Sequence, residues 1–238
     1  MSILEILKVI VLGMVEGFTE WLPISSTGHL ILVEDLIRPE VSAEFMEMFR
    51  VVIQLGAILA VVVMYFRRLN PFDPGKSRRQ RAATWQLWMK ILIACLPAAI
   101  LGFLLDDWLD EHLFNGFVVA LMLVLYGILF IVIENMNRFR QPVITKMSQM
   151  NWQIALYIGM FQCLALIPGT SRSGATILGA MLMGCSRKVS AEFSFFLGIP
   201  VMLGASVLKI AKFGFHFTGA EFFYLILGMV VAFIVSVY

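Results

Sequence analysis

Five stretches of this chain are apolar over about the 20 residues a helix needs to cross the hydrocarbon core of a bilayer: 48–66, 86–105, 114–133, 193–211 and 220–238. Inside lipid every backbone N–H and C=O must be satisfied within the protein, which leaves helices and closed barrels. Runs of this length select the helix. Composition agrees. The 238 residues are 60% hydrophobic and 14% charged, with a mean hydropathy of +0.89, against roughly half and a quarter in soluble domains. That excludes an ordinary cytosolic enzyme and a disordered chain, and a net charge of +2 gives no footprint for nucleic acid. Cys95, Cys163 and Cys185 lie in or beside apolar segments and read as packing residues. The N-terminus has no basic n-region and no A-x-A-like site, so no cleavable signal is expected. The last stretch reaches Tyr238 without a polar cap, and the chain is expected to stop within or at the edge of a span.

Two further apolar stretches are too short to cross and are interrupted. The first runs over 3–15, meets Glu16-Gly-Phe-Thr-Glu20-Trp-Leu-Pro23-Ile-Ser-Ser-Thr-Gly28-His29, and resumes to near Ile37. The second runs over 152–167, meets Pro168-Gly-Thr-Ser-Arg172-Ser-Gly174, and resumes over 175–184. Pro, Gly and clustered hydroxyls stop a helix. Irregular backbone at membrane depth survives only where it is buried in protein or lines a wet cavity. Both stretches therefore read as re-entrant helix–loop–helix hairpins.

The halves echo each other. Gly13-Met14 recurs as Gly159-Met160 and Thr27-Gly28 as Ser173-Gly174, each 146 residues later, as an old duplication would leave them. Loop charge places 67–81, with Arg67, Arg68, Lys76, Arg78, Arg79 and Arg81, inside. It places 106–112, with Asp106, Asp107, Asp110 and Glu111, outside, and 134–151 inside; Lys209 and Lys212 are exceptions. The hairpins then enter from opposite sides. The predicted fold is an all-α integral membrane protein of inverted-topology repeats, each a hairpin plus about three transmembrane helices. It forms a single membrane domain, 1–238, with repeat one at 1–134 and repeat two at 152–238, the second lacking its last helix.

Chemistry collects at the two breaks. Glu16 and Glu20 share a helix face by their i, i+4 spacing. Carboxylates at this depth signal function, unless the helix lies shallow and both reach water. Facing a cavity, they suit a divalent cation or a proton. Ser25, Ser26 and Thr27 precede His29. A Ser with a nearby His can make a nucleophile and its base, the imidazole can itself attack phosphorus, or the group is a helix cap. Arg172 opens the second arm of its hairpin among hydroxyls, and a helix N-terminus carrying an Arg is an anion site. Arg172 could also tie the hairpins together through Glu16 or Glu20. At the 146-residue offset Glu16 meets only Gln162, and Ser26 meets Arg172. Acids, Ser and His thus fall on one tip and the anion-binding Arg on the other. Together they suit a phosphate-bearing lipid, its tail in the bilayer and its head in the cavity.

These motifs, the second extended to Pro168-Gly-Thr-Ser-Arg-Ser-Gly-Ala-Thr176, closely resemble the two signatures of the bacterial undecaprenyl-diphosphatase family, the bacitracin-resistance proteins. The likeness runs over essentially the whole chain and includes Val52-Ile-Gln-Leu-Gly56 and Glu192-Phe-Ser-Phe195. The resemblance implies an enzyme that removes the terminal phosphate of undecaprenyl diphosphate and recycles the carrier for peptidoglycan and other envelope polymers. It implies bacitracin resistance, a magnesium or calcium ion, and a multi-pass place in the bacterial inner membrane with the site open to the periplasm. Position by position, Glu20, His29 and Arg172 match the central residues, Glu16 and Ser26 the supporting ones, and Ser171, Ser173 and Thr176 the phosphate-cradling hydroxyls. Gly174, Ser25 and Thr27 complete the expected cradle, and Glu16 and Glu20 are the expected metal ligands. Family members continue past the position of Tyr238 through another span.

Expected partners are undecaprenyl diphosphate, bilayer lipids and, as an option, a second copy in a homodimer; no nucleic acid is expected. Two nucleophiles stay open: Ser26 with His29 as base, slightly favoured, or His29 directly. The competing class is a polyprenyl-phosphate flippase or other transporter, with the Glu pair as proton relay and Arg172 as counter-ion. A Ser next to a His at an anion site has little use there. A purely structural subunit would leave ionisable groups at membrane depth with no structural return.

Overall fold

The structure, a computed structural model, describes residues 2–113, 115–138, 140–214 and 216–238, without the side chains of Asp106, Asp107 and Asp110. Three of the four acids expected on an outer segment therefore lie outside the described side chains. Eleven α-helices run through the described residues: α1 (Ile3–Thr19), α2 (Ser26–Ile37), α3 (Ala43–Val52), α4 (Gln54–Met64), α5 (Phe66–Leu69), α6 (Arg78–Leu113), α7 (Gly116–Asn137), α8 (Trp152–Gln162), α9 (Arg172–Leu182), α10 (Arg187–Phe213) and α11 (Gly219–Val237). Among those residues there is no β-strand, only an isolated bridge between Ile144 and Cys185. The protein is thus all-α. Five helical stretches are long and apolar enough to cross a membrane: Ala43–Met64, Arg78–Leu105, Gly116–Asn137, Arg187–Phe213 and Gly219–Val237. Each overlaps one of the five predicted runs, and the chain is a multi-pass membrane protein.

Two boundaries differ from the sequence reading. The run 48–66 starts earlier and is broken at Ile53, which caps α3 and keeps a right-handed helical backbone (φ −65°, ψ −21°). The acidic segment 106–112 is not a loop, because α6 continues through it to Leu113. Leu104, Leu105, Trp108, Leu109 and Leu113 keep the helical repeat of apolar residues between the acids.

The chain divides into two compact units, Met1–Met64 with Ile199–Tyr238, and Tyr65–Gly198. In the first, α1 lies against α11 through small residues. A Cβ on Gly13 would stand 2.9 Å from the Gly228 carbonyl oxygen, and one on Gly17 would stand 2.5 Å from that of Ala232. Backbones in van der Waals contact are how helices associate where lipid removes the hydrophobic drive. Ser236 Oγ adds a 3.0 Å bond to the Gly17 carbonyl. Gly56 of α4 makes a similar approach to the Met229 carbonyl. Leu12, Leu30, Phe45, Phe49, Ile53 and Tyr224 fill the space between these helices. Lys209, an exception to the loop-charge pattern, is ion-paired at 2.7 Å with Glu47.

In the second unit, α8 has eleven residues and passes into a 3₁₀ turn, Cys163–Leu166. It packs on α6, where Gly159 meets the Ala94 backbone, and on α9, where Gly179 meets the ring of Phe161. Gly169 turns the chain with φ +88° and lies against the Val119 backbone, so both conformation and contact require glycine. Arg68 pairs with Glu192 at 2.8 Å and sits over the ring of Phe196. Arg187 is held by Glu134.

Candidate active site

The first unit carries the acids, Ser and His. α1 ends at Thr19 and Glu20 caps it with helical backbone angles, its N–H bonding the Glu16 carbonyl at 3.0 Å. The i, i+4 relation of the two carboxylates is therefore kept. Glu16 is fully buried, and Glu20 is partly exposed. The break over residues 21–25 ends on Ser25, whose φ of 66° is rare for a residue with a Cβ. Strained backbone of this kind costs about 1–3 kcal/mol and gathers at functional sites. Ser25 is the N-cap of α2, its Oγ accepting from the Gly28 N–H at 3.3 Å.

That turn swings Ser26 back toward the preceding helix end, and its Oγ donates to Glu20 Oε2 at 2.6 Å. A hydroxyl-to-carboxylate bond of this length is charge-assisted and strong. His29 takes another direction: its Nδ1 lies 2.8 Å from the Ser25 carbonyl oxygen. A carbonyl only accepts, so Nδ1 carries a proton, which leaves Nε2 as the nitrogen for proton exchange with a ligand or water. The sequence reading pairs Ser26 with His29, whereas the structure gives the Ser26 proton to Glu20. Thr27 Oγ1 accepts from Gln54 Nε2 at 3.3 Å.

The second unit carries Arg172, the expected anion-binding group. Ser171 is the N-cap of α9, its Oγ accepting from the Gly174 N–H at 3.0 Å. This is the same cap as Ser25 with Gly28, 146 residues on. Ser171 Oγ also bonds Ser173 Oγ at 3.1 Å. Arg172 follows at the first helical position. Its Nη1 donates to the Ser194 carbonyl at 2.9 Å, and its guanidinium lies on Gly198, where a Cβ would come within 2.8–3.0 Å. Thr176 is fully buried; its Oγ1 is 2.9 Å from the Arg172 carbonyl and 2.7 Å from Ser194 Oγ. Thr176 thus joins α9 to α10 beneath the Arg. Ser194, though it lies in the Glu192-Phe-Ser-Phe195 motif, and Gly198 were given no role by the sequence reading. Their i, i+4 spacing on an apolar helix was the available signal, and it names no partner.

Glu16 and Glu20 offer oxygen donors alone, the chemistry that hard cations such as Mg²⁺ and Ca²⁺ take. Among the described residues no group of three or more His, Cys, Asp and Glu gathers at one point. The protein's share would be two carboxylates, with phosphate and water oxygens completing the sphere, which is the habit of Mg²⁺ at phosphate sites. The donor set fits the expected ion.

Helices of spanning length, two short helix pairs broken by polar loops, and oxygen and guanidinium groups at those breaks define a membrane protein equipped for a phosphate-bearing ligand. The sequence profile described as bacitracin resistance protein BacA matches residues 9–238, and the chain belongs to that family. It is 58% identical over 240 residues to the undecaprenyl-diphosphatase of Latilactobacillus sakei subsp. sakei, covering 100% of this chain and 87% of that protein. It is 58% identical over 233 residues to that of Enterococcus faecalis strain V583, covering 97% and 84%. With that of Acetivibrio thermocellus it shares 57% identity over 235 residues, covering 99% and 86%.

Proposed function

We propose that this chain hydrolyses undecaprenyl diphosphate to undecaprenyl phosphate and inorganic phosphate, returning the lipid carrier to peptidoglycan and envelope synthesis and so conferring bacitracin resistance. The names of its close relatives support the substrate. The observation that carries the chemistry is the 2.6 Å bond from Ser26 Oγ to Glu20. An alcohol already donating to a carboxylate is poised to attack, and a transporter has no use for it.

In this reading Ser26 Oγ attacks the terminal phosphorus while Glu20 takes its proton. The bond from phosphorus to the bridging oxygen breaks, and undecaprenyl phosphate leaves. Arg172 and the first N–H groups of α9 hold the non-bridging oxygens and the charge that develops on them. His29 Nε2 takes a proton from the water that attacks the phosphoserine; the bond from phosphorus to Ser26 Oγ breaks, Glu20 returns its proton to that oxygen, and inorganic phosphate leaves. A divalent ion, when bound, neutralises phosphate charge, and Glu16 and Glu20 would hold it. Ser25, Thr27 and Ser173 serve as hydroxyl donors at the two tips, while Thr176 positions Arg172. The protein works in the bacterial inner membrane with its site toward the periplasm, drawing substrate laterally from the lipid.

Rapid quench of turnover in neutral denaturant, in the wild type and the His29→Gln variant, followed by peptide mass spectrometry at neutral pH, tests the carrying step. The expected result is phosphate on Ser26, absent from Ser26→Ala. Phosphate on His29 in the wild type, or none on Ser26, would overturn it.

A further inference from the structure

Gln162 is the last residue of α8, and the 3₁₀ turn Cys163–Leu166 then leads into the loop before Arg172. The residue is 2% exposed, and neither Nε2 nor Oε1 has a hydrogen-bond partner among the described residues. A buried carboxamide carries two donors and one acceptor oxygen, and natural proteins seldom leave all of them unmade. Helix capping does not employ it: the end of α8 is closed by the Cys163 backbone N–H on the Met160 and Phe161 carbonyls.

Its place in the frame is informative. Gln162 stands 146 residues after Glu16, the offset that also carries Ser25 to Ser171 and Gly28 to Gly174. Both Ser25–Gly28 and Ser171–Gly174 form the same helix cap, so the offset is meaningful in three dimensions within each hairpin. Gln162 and Glu16 are both buried on the first arm of a hairpin. They have nearly the same shape and reach but opposite capacity: a carboxylate attracts cations, while a carboxamide donates to anions without charge of its own. On the arm that leads to Arg172 a carboxylate would repel the phosphate that the Arg attracts.

Resting on the diphosphatase reading above, we propose that Gln162 is a substrate-binding residue whose Nε2–H donates to a phosphate oxygen of the lipid diphosphate. The group then has a partner when substrate is bound, which accounts for a buried amide that folding alone leaves unused.

The test compares purified full-length wild type with Gln162→Leu and Gln162→Glu, reading phosphate release and thermal midpoint with and without inorganic diphosphate. Removing an unmade buried amide in favour of a carbon chain of similar size is neutral or stabilising. Gln162→Leu should therefore keep or raise the midpoint yet lose about ten- to a hundredfold in kcat/KM, the worth of one bond to a charged group. It should also lose the upward shift that diphosphate gives the wild type. Gln162→Glu should raise KM at neutral pH and recover as the carboxyl is protonated in acid, a profile that a merely structural role would not produce. Wild-type kcat/KM together with a wild-type diphosphate shift in Gln162→Leu would overturn the proposal. If that variant does not fold, a folded Gln162→Glu whose KM keeps the same ratio to wild type at every pH overturns it. Should the wild type release no phosphate, the diphosphatase reading fails, and the diphosphate shift still decides whether Gln162 binds the anion.

Discussion

Ser194 and Gly198 stand one turn apart on α10, and the guanidinium of Arg172 is bonded to the carbonyl of one and rests on the Cα of the other. The two should answer differently to substitution. Ser194→Ala keeps the accepting carbonyl and removes only the hydroxyl that meets Thr176, so kcat/KM should fall a few-fold, about the worth of one neutral hydrogen bond. Gly198→Leu fills the seat itself, and phosphate release should fall about a hundredfold or more, because displacing an electrostatic group by an ångström forfeits most of its effect. Steady-state assays of variants with wild-type thermal midpoints check both. At this scale the sequence was legible where the relation is local. The i, i+4 spacing of Glu16 and Glu20 survives because Glu20 keeps helical angles as the cap of α1. The bond from Ser26 to Glu20 was not legible, because it depends on the turn over residues 21–25 and on a positive φ at Ser25 that no pattern announces. The seat of Arg172 was hidden for another reason: its partner is 22 residues away through packing.

Among the elements, α1 and α11 meet backbone to backbone in the first unit, and the approach depends on Gly13 and Gly17. Gly17 lies between the two candidate metal ligands, so the packing that seats α1 also fixes where Glu16 and Glu20 stand. Gly17→Ala would thrust a methyl onto the Ala232 carbonyl, which cannot swing aside as a side chain could. The expected cost is about 1–3 kcal/mol of stability from overpacking, read as a lower thermal midpoint in detergent with reduced phosphate release. A wild-type midpoint would show that the helices part without penalty. The spanning helices themselves were legible, since 20 apolar residues in a row admit few alternatives. Their ends were less so. Charge placed 106–112 in a loop, yet its leucines hold it in α6, and the start of α3 at Ala43 is masked in sequence by Glu44, Glu47 and Arg50.

For the whole molecule, the division into two compact units separates the chemistry by type. Glu16, Glu20, Ser26 and His29 belong to one unit, and Arg172 with its hydroxyls, Ser194 and Gly198 belongs to the other. The same division was legible in the sequence, where Glu16 aligns with Gln162 and Ser26 with Arg172 at one offset. The central claim is tested most directly by phosphate release from undecaprenyl diphosphate by the full-length protein, with and without a chelator, beside folded Glu20→Gln and Arg172→Gln variants. The account predicts release by the wild type that the chelator suppresses, and a loss of about a thousandfold in either variant, as when one member of a catalytic set is removed. No release by a folded wild type, or an undiminished rate with either side chain replaced, would contradict it.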